Sequence, residues 1–127
     1  MKTFLVTGGT GFIGTNICKL LLRMGFYVIS FDNNSRKKVI VQKILNKNIE
    51  YIYGDITDVK SFKKIKKKVD AIFHLAFING TKFFYNQPDR IISVGIQGMI
   101  NIINFAKNKR IKEFYLASSS EVYQTPH

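Results

Sequence analysis

The sequence predicts an α/β fold built on a doubly wound parallel sheet, and three observations carry that prediction. Apolar runs of β-forming composition alternate with segments of helical periodicity from one end of the chain to the other. A glycine-rich stretch, Thr7-Gly8-Gly9-Thr10-Gly11-Phe12-Ile13-Gly14, stands between the first apolar run and the first helical pattern. An acidic residue, Asp32, closes the second run 18 residues after Gly14. In the order strand, glycines, helix, strand and acid, these are the parts of a dinucleotide-binding βαβ unit.

The first strand spans residues 2–6, and the glycines follow it directly. Read as Gly9, Gly11 and Gly14 or as Gly8, Gly11 and Gly14, they describe one device. Without a Cβ the chain turns tightly, a pyrophosphate approaches the backbone, and the helix packs close to its strand. That helix carries Ile13, Ile17, Leu20, Leu21 and Met24 on one face and stops at Gly25. Its amino end offers N–H groups and partial positive charge to phosphates. Residues 26–31 form the second strand, ending at Asp32. A carboxylate there accepts hydrogen bonds from ribose hydroxyls and repels a 2′-phosphate. Alternatively, Asp32 simply opens a turn with Asn33, Asn34 and Ser35.

Residues 38–48 read as a short helix, and residues 49–53 as a third strand closed by Gly54-Asp55. Val59, Phe62, Ile65 and Val69 recur at helical spacing. Residues 70–75 form a fourth strand, continuously apolar as suits a sheet covered on both faces. Asn79-Gly80 marks a loop. Pro88 opens the longest helix, with Ile92, Ile96, Met99, Ile100 and Ile103 on one stripe and an end near Lys107. Residues 112–117 are a fifth strand. In such sheets ligands bind where strands end, which singles out residues 8–14, Asp32, Asp55, Leu75, Ala76 and residues 118–121.

At 127 residues and 46% hydrophobic, the chain suffices for one domain with a core. Its net charge of +12 comes from basic runs at 36–38, 63–68 and 107–110. These runs lie where helices end or meet solvent, where cations favour the helix dipole. No aromatic is interleaved to stack bases, so no specific nucleic-acid partner is expected, non-specific attraction through the lysines being the alternative. Cys18 stands alone and His74 and His127 lie apart, which supports neither a disulfide framework nor a metal site. No leader-like or membrane-length apolar run is present, so a cytoplasmic location without a membrane partner is expected.

Taken together, five motifs resemble the extended short-chain dehydrogenase/reductase family of NAD-dependent nucleotide-sugar epimerases, dehydratases and decarboxylases, whose fold is the Rossmann fold. Residues 7–14 resemble its cofactor loop and Phe31-Asp32-Asn33 its ribose-binding turn. Gly54-Asp55-Ile56 resembles its adenine-contacting segment, and His74-Leu75-Ala76 its fourth-strand signature beside the cofactor. Ser118-Ser119-Ser120-Glu121-Val122-Tyr123 resembles its active-site motif. The resemblance implies NAD as cofactor, held by Gly8, Gly11, Phe12, Ile13, Gly14, Asp32, Asn33, Asp55, Ile56, Leu75 and Ala76. It implies that Ser119 hydrogen-bonds the sugar oxygen being oxidised. Ser120 and Glu121 fall where relatives place further polar or proton-handling groups. The implied substrate is a nucleotide sugar, oxidised transiently so that epimerisation, dehydration or decarboxylation becomes possible. Family members are often homodimers.

The chain also departs from the pattern. Gly95-Ile96-Gln97-Gly98-Met99 stands where the family commonly has Asn-Val-x-Gly-Thr, and Gln124 replaces a usual glycine. The family's Tyr-x-x-x-Lys pair, whose Tyr is the general base, has no match: none of the six tyrosines is followed four residues later by Lys. Residues 1–127 therefore read as a Rossmann domain truncated after the fifth strand, without a substrate domain and inactive alone. The alternative is a non-catalytic dinucleotide-binding or interaction module. The fifth strand is expected to stand as an apolar edge.

Overall fold

The computed structural model describes residues 1–35, 44–78, 80–119 and Tyr123. Five strands, β1 (Thr3–Thr7), β2 (Tyr27–Asp32), β3 (Ile49–Tyr53), β4 (Ala71–His74) and β5 (Glu113–Leu116), form one parallel sheet in the order β3-β2-β1-β4-β5. The chain runs outward from β1 to β3, then returns to β1's other side with β4. The reversal of direction therefore falls between β1 and β4, and sheets of this kind bind ligands outside the carboxyl ends of the strands at that point.

Strand residues alternate between two cores, as the two-residue period requires. On one face Phe4, Val6, Val28 and Ala71 meet Cys18 and Leu21 of α1 (Phe12–Arg23). On the other, Leu5, Ile29, Phe31 and Ile72 meet Phe62 together with Ile102, Phe105 and Ala106 of α4 (Gly98–Asn108). Helices thus cover both faces, and the doubly wound arrangement follows.

Both long helices are rotated from their expected orientation. On α1 the buried residues are Gly14, Thr15, Cys18 and Leu21, while Ile13, Leu20 and Met24 are 62%, 55% and 59% exposed. The cause is Gly14. A Cβ built there would lie 2.1 Å from the Gly8 carbonyl oxygen, so this side of the helix must face the glycine turn. Positions 18 and 21 then follow it inward. On α4, Gly98 plays the same part against Ile56, whose Cδ1 lies 2.4 Å from where its Cβ would stand. Asn101, Ile102 and Phe105 turn inward, and the expected stripe of Ile92, Ile96, Ile100 and Ile103 faces outward.

Pro88 opens α3 (Pro88–Ile92) at its first turn, as expected; a π-helical turn, Ser93–Gln97, joins α3 to α4. The helix expected over 59–69 is a 3₁₀ turn, Val59–Lys64, capped by the Asp58 carboxylate accepting from the Lys60 N–H. Ile65 then becomes extended, and this change of direction brings Ile65 and Val69 into the core beside Phe62. Of the helix expected over 38–48, residues 38–43 lie outside the described residues, and 44–48 are not helical. A short helix α2 (Thr81–Asn86) follows Gly80 with no apolar periodicity to announce it; Phe83, Phe84 and Tyr85 are exposed. At the far side β5 is an edge strand, with Phe114, Tyr115 and Leu116 exposed.

Candidate functional site

The carboxyl ends of β1, β2 and β4 converge on the glycine turn. Gly8 adopts φ +71°, and its N–H donates to the Phe31 carbonyl at 2.9 Å. A side chain there would also lie 2.9 Å from the Ala76 nitrogen. The turn closes with the Gly11 N–H on the Gly8 carbonyl at 3.1 Å. Gly11 is the N-cap of α1 and supplies no side-chain cap, and no acidic residue stands in the first turn. Phe12 and Ile13 are exposed. The amino end of α1 therefore presents its N–H groups and dipole at the sheet's central strand, an arrangement that attracts anions.

Asp32 takes the turn expected locally and also reaches back to the glycine loop. Its Oδ1 accepts the Asn34 N–H at 2.7 Å, the turn expected locally, while its Oδ2 accepts the Thr10 N–H at 3.1 Å. The carboxylate is thereby tied to the glycine turn, with lone pairs left over for a ligand. Next to it, Asn33 Nδ2 donates to Asp55 Oδ2 at 2.9 Å. Asp55 Oδ1 accepts both the N–H and the hydroxyl of Thr57, at 2.8 and 2.7 Å. Burial pushes the Asp55 carboxyl up, but the Asn33 and Thr57 bonds and the Arg90 charge outweigh it and hold the group below its ordinary value.

Thr7, Asn101 and the orientation of His74 were not anticipated. The Thr7 hydroxyl oxygen accepts the N–H groups of Leu75 and Ala76, each at 3.2 Å. The same hydroxyl is hydrogen-bonded to His74 Nδ1, 2.7 Å away. Burial pushes the His74 pKa down to about 4. This bond joins the last residue of β1 to the last residue of β4, and it exists because the register sets Thr7 beside His74. Asn101 is buried and donates to the carbonyls of Ile56 and Thr57 at 2.8 and 3.0 Å, with Gln97 donating to its oxygen. An Asn flanked on both sides by isoleucines within the helix was the available signal.

Gly8, Gly11, Gly14, Asp32, Asn33 and Asp55 thus form one connected group, and Thr7 draws Leu75 and Ala76 to it. Ile56 is different, because its side chain faces the core. Ser119 lies at the same end of the sheet, two residues past Ala117, whose N–H donates to the His74 carbonyl at 3.3 Å. Ser120 and Glu121 lie outside the described residues. Cys18 is buried, its thiol pushed up to about 12 mainly by that burial, so it is a packing residue. Among the described residues no group of metal-ligating side chains forms, and no helix is long and apolar enough to cross a membrane.

Residues 4–127 match the model of the NAD dependent epimerase/dehydratase family. The chain belongs to that family. It is 31% identical over 130 residues to a UDP-glucose 4-epimerase of Schizosaccharomyces pombe, covering 98% of this chain and 37% of that protein. It is 34% identical over 122 residues to a UDP-N-acetyl-alpha-D-glucosaminuronate decarboxylase of Bacillus cytotoxicus, covering 96% of this chain and 38% of that protein. Among solved structures, an epimerase of Methanothermobacter thermautotrophicus superposes with a TM-score of 0.87 at 31% identity, over 94% of this chain and 35% of that one. A UDP-glucose 4-epimerase of Bifidobacterium longum, solved with NAD+ and UDP, gives 0.82 at 27% identity, over 98% and 39%. The chain thus spans less than two fifths of these relatives' length. The family is NAD-dependent, and the site of this chain fits that cofactor in two respects: the turn leaves no room for side chains, and the helix start is uncapped.

Proposed function

We propose that this chain is the NAD-holding part of an enzyme that epimerises, dehydrates or decarboxylates a nucleotide sugar. The uncapped amino end of α1, set against Asp32 at the end of the adjacent strand, is the observation that carries this reading. The N–H groups at Phe12, Ile13 and Gly14 would hold the pyrophosphate, with Gly8 and Gly11 shaping the turn that admits it. Asp32 would bind the ribose hydroxyls. Asn33, Asp55 and the main chain at Ile56 would border the adenine, and Leu75 and Ala76 the rest of the dinucleotide. When bound, NAD accepts a hydride from the sugar carbon and later returns it. Ser119 would orient the sugar hydroxyl by hydrogen bonding, with Ser120 and Glu121 placed to handle further protons. No Tyr-x-x-x-Lys pair occurs in the sequence, so the general base would come from elsewhere, and the isolated chain is expected to bind cofactor without turnover.

Calorimetric titration of the folded chain with NAD tests the reading. Saturable one-site binding is expected, and Asp32→Ala is expected to weaken it by about tenfold, as loss of hydrogen bonds to a charged group does. A folded chain that takes up no NAD would refute the proposal, and an unchanged affinity would remove Asp32 from the site.

A further inference from the structure

A second charged feature lies at the opposite end of the sheet, at the amino ends of β1, β4 and β5. An open cleft of about 630 Å³ is lined there by five cations, Lys2, Lys68, Lys109, Arg110 and Lys112, against two carboxylates. Both carboxylates are engaged. Glu113 pairs with Lys2 at 2.6 Å and Asp70 with Lys68 at 3.3 Å, and Asp70 also accepts the Thr3 N–H. Lys109, Arg110 and Lys112 have no acidic partner among the described residues. Three cations within four residues thus share one concave wall.

Arg110 is there at a conformational cost. It follows α4 at φ +54°, with its N–H on the Lys107 carbonyl and the Ile111 N–H on the Ala106 carbonyl, at 3.0 and 2.9 Å. α1 ends in the same turn: Gly25 at φ +81°, its N–H on Leu22 and the Phe26 N–H on Leu21. One helix stops with the glycine that this left-handed position favours, whereas the other stops with an arginine. Capping the helix dipole does not account for it, because Lys107 already occupies the last turn.

We propose that this cleft binds an oligophosphate, a short chain of phosphoryl groups either free or as the tail of a nucleotide. Arg110 would grip it bidentately, and Lys109 and Lys112 would neutralise adjacent phosphoryls. No aromatic residue lines the cleft, so no base is read there and a sequence-selective nucleic acid does not fit. The site is separate from the dinucleotide crevice and does not depend on its function.

Inorganic tripolyphosphate, titrated by calorimetry into the folded chain at low ionic strength with saturating NAD present, is the test. One-site binding is expected, weakened about tenfold in Arg110→Gly and about two- to threefold both in Lys112→Gln and in Arg110→Lys, which keeps the charge but loses the fork. ATP binding like tripolyphosphate would identify a nucleotide tail as one source, and ATP binding weaker would favour the free anion. Arg110→Gly suits the turn, so its loss of binding is not a loss of fold, which circular dichroism checks. The proposal is overturned if tripolyphosphate does not bind, if Arg110→Gly binds it equally, if NAD displaces it, or if sulfate at equal ionic strength competes as well. Asp32→Ala is expected to leave this binding unchanged even where it abolishes binding of NAD.

Discussion

The crossovers β1–α1–β2 and β4–α4–β5 begin alike and are finished differently. In each, a helix is turned toward the sheet by one glycine, Gly14 or Gly98. Gly14 presses on main chain, at Gly8 and Gly9, whereas Gly98 presses on the tip of the Ile56 side chain. In the first unit the outer strand β2 is covered by β3; in the second the outer strand β5 is an edge. The contrast separates a unit whose helix and turn meet backbone to backbone from one whose helix meets a side chain that can rotate.

The largest expected effect separates the two glycines. Gly14→Ala forces a Cβ onto backbone that cannot retreat and is expected to cost about 3 kcal/mol in denaturant unfolding, with loss of NAD binding. Gly98→Ala meets a side chain that can rotate and gains helix propensity, so about 1 kcal/mol or less is expected. Equal losses would erase the distinction between the units.

The seam between the units is tested by pH. His74 has an ordinary value of 6.5 and a folded value of about 4, so unfolding releases a group that protonates more readily. Its contribution to stability is therefore full above pH 6.5 and lost as pH falls toward 4, reaching at most about 3 kcal/mol. His74→Asn, followed by urea unfolding across that window, is expected to flatten the slope. An unaltered slope would mean that the imidazole is not the group responsible.

The smallest effects come from the paired helix stops. Arg110→Gly is expected to stabilise the chain by about 0.5–1 kcal/mol and Gly25→Arg to destabilise it by about 1 kcal/mol, both read as shifts in melting temperature. Opposite signs would confirm that the same turn was built from a favourable and an unfavourable residue.

Much of this was legible in the residues because it is local. The doubly wound parallel sheet followed from the alternation of apolar runs with helical segments, and Asp32 and Asp55 stand where strands end. The helix faces were misread for a single reason. Counting apolar side chains assigns nothing to glycine, yet Gly14 and Gly98 set the rotation, so Ile13, Leu20 and Ile96 point away from the sheet. Thr7 and His74 were opaque for another: their bond spans 67 positions and depends on strand register. The 3₁₀ turn at Val59–Lys64 shows that core spacing at 62, 65 and 69 can arise from a bend as well as from a helix.

The Thr7 hydroxyl lies within hydrogen-bond distance of three partners at once, His74 Nδ1 and the N–H groups of Leu75 and Ala76. The crevice walls on β1 and β4 are stitched together by the protein itself, with no ligand atom in the stitch. In the proposed site these walls would act as a socket and not as a clasp, because a seam already bonded within the protein has little conformational entropy left to lose on binding. Selectivity at that seam then resides in a fixed shape.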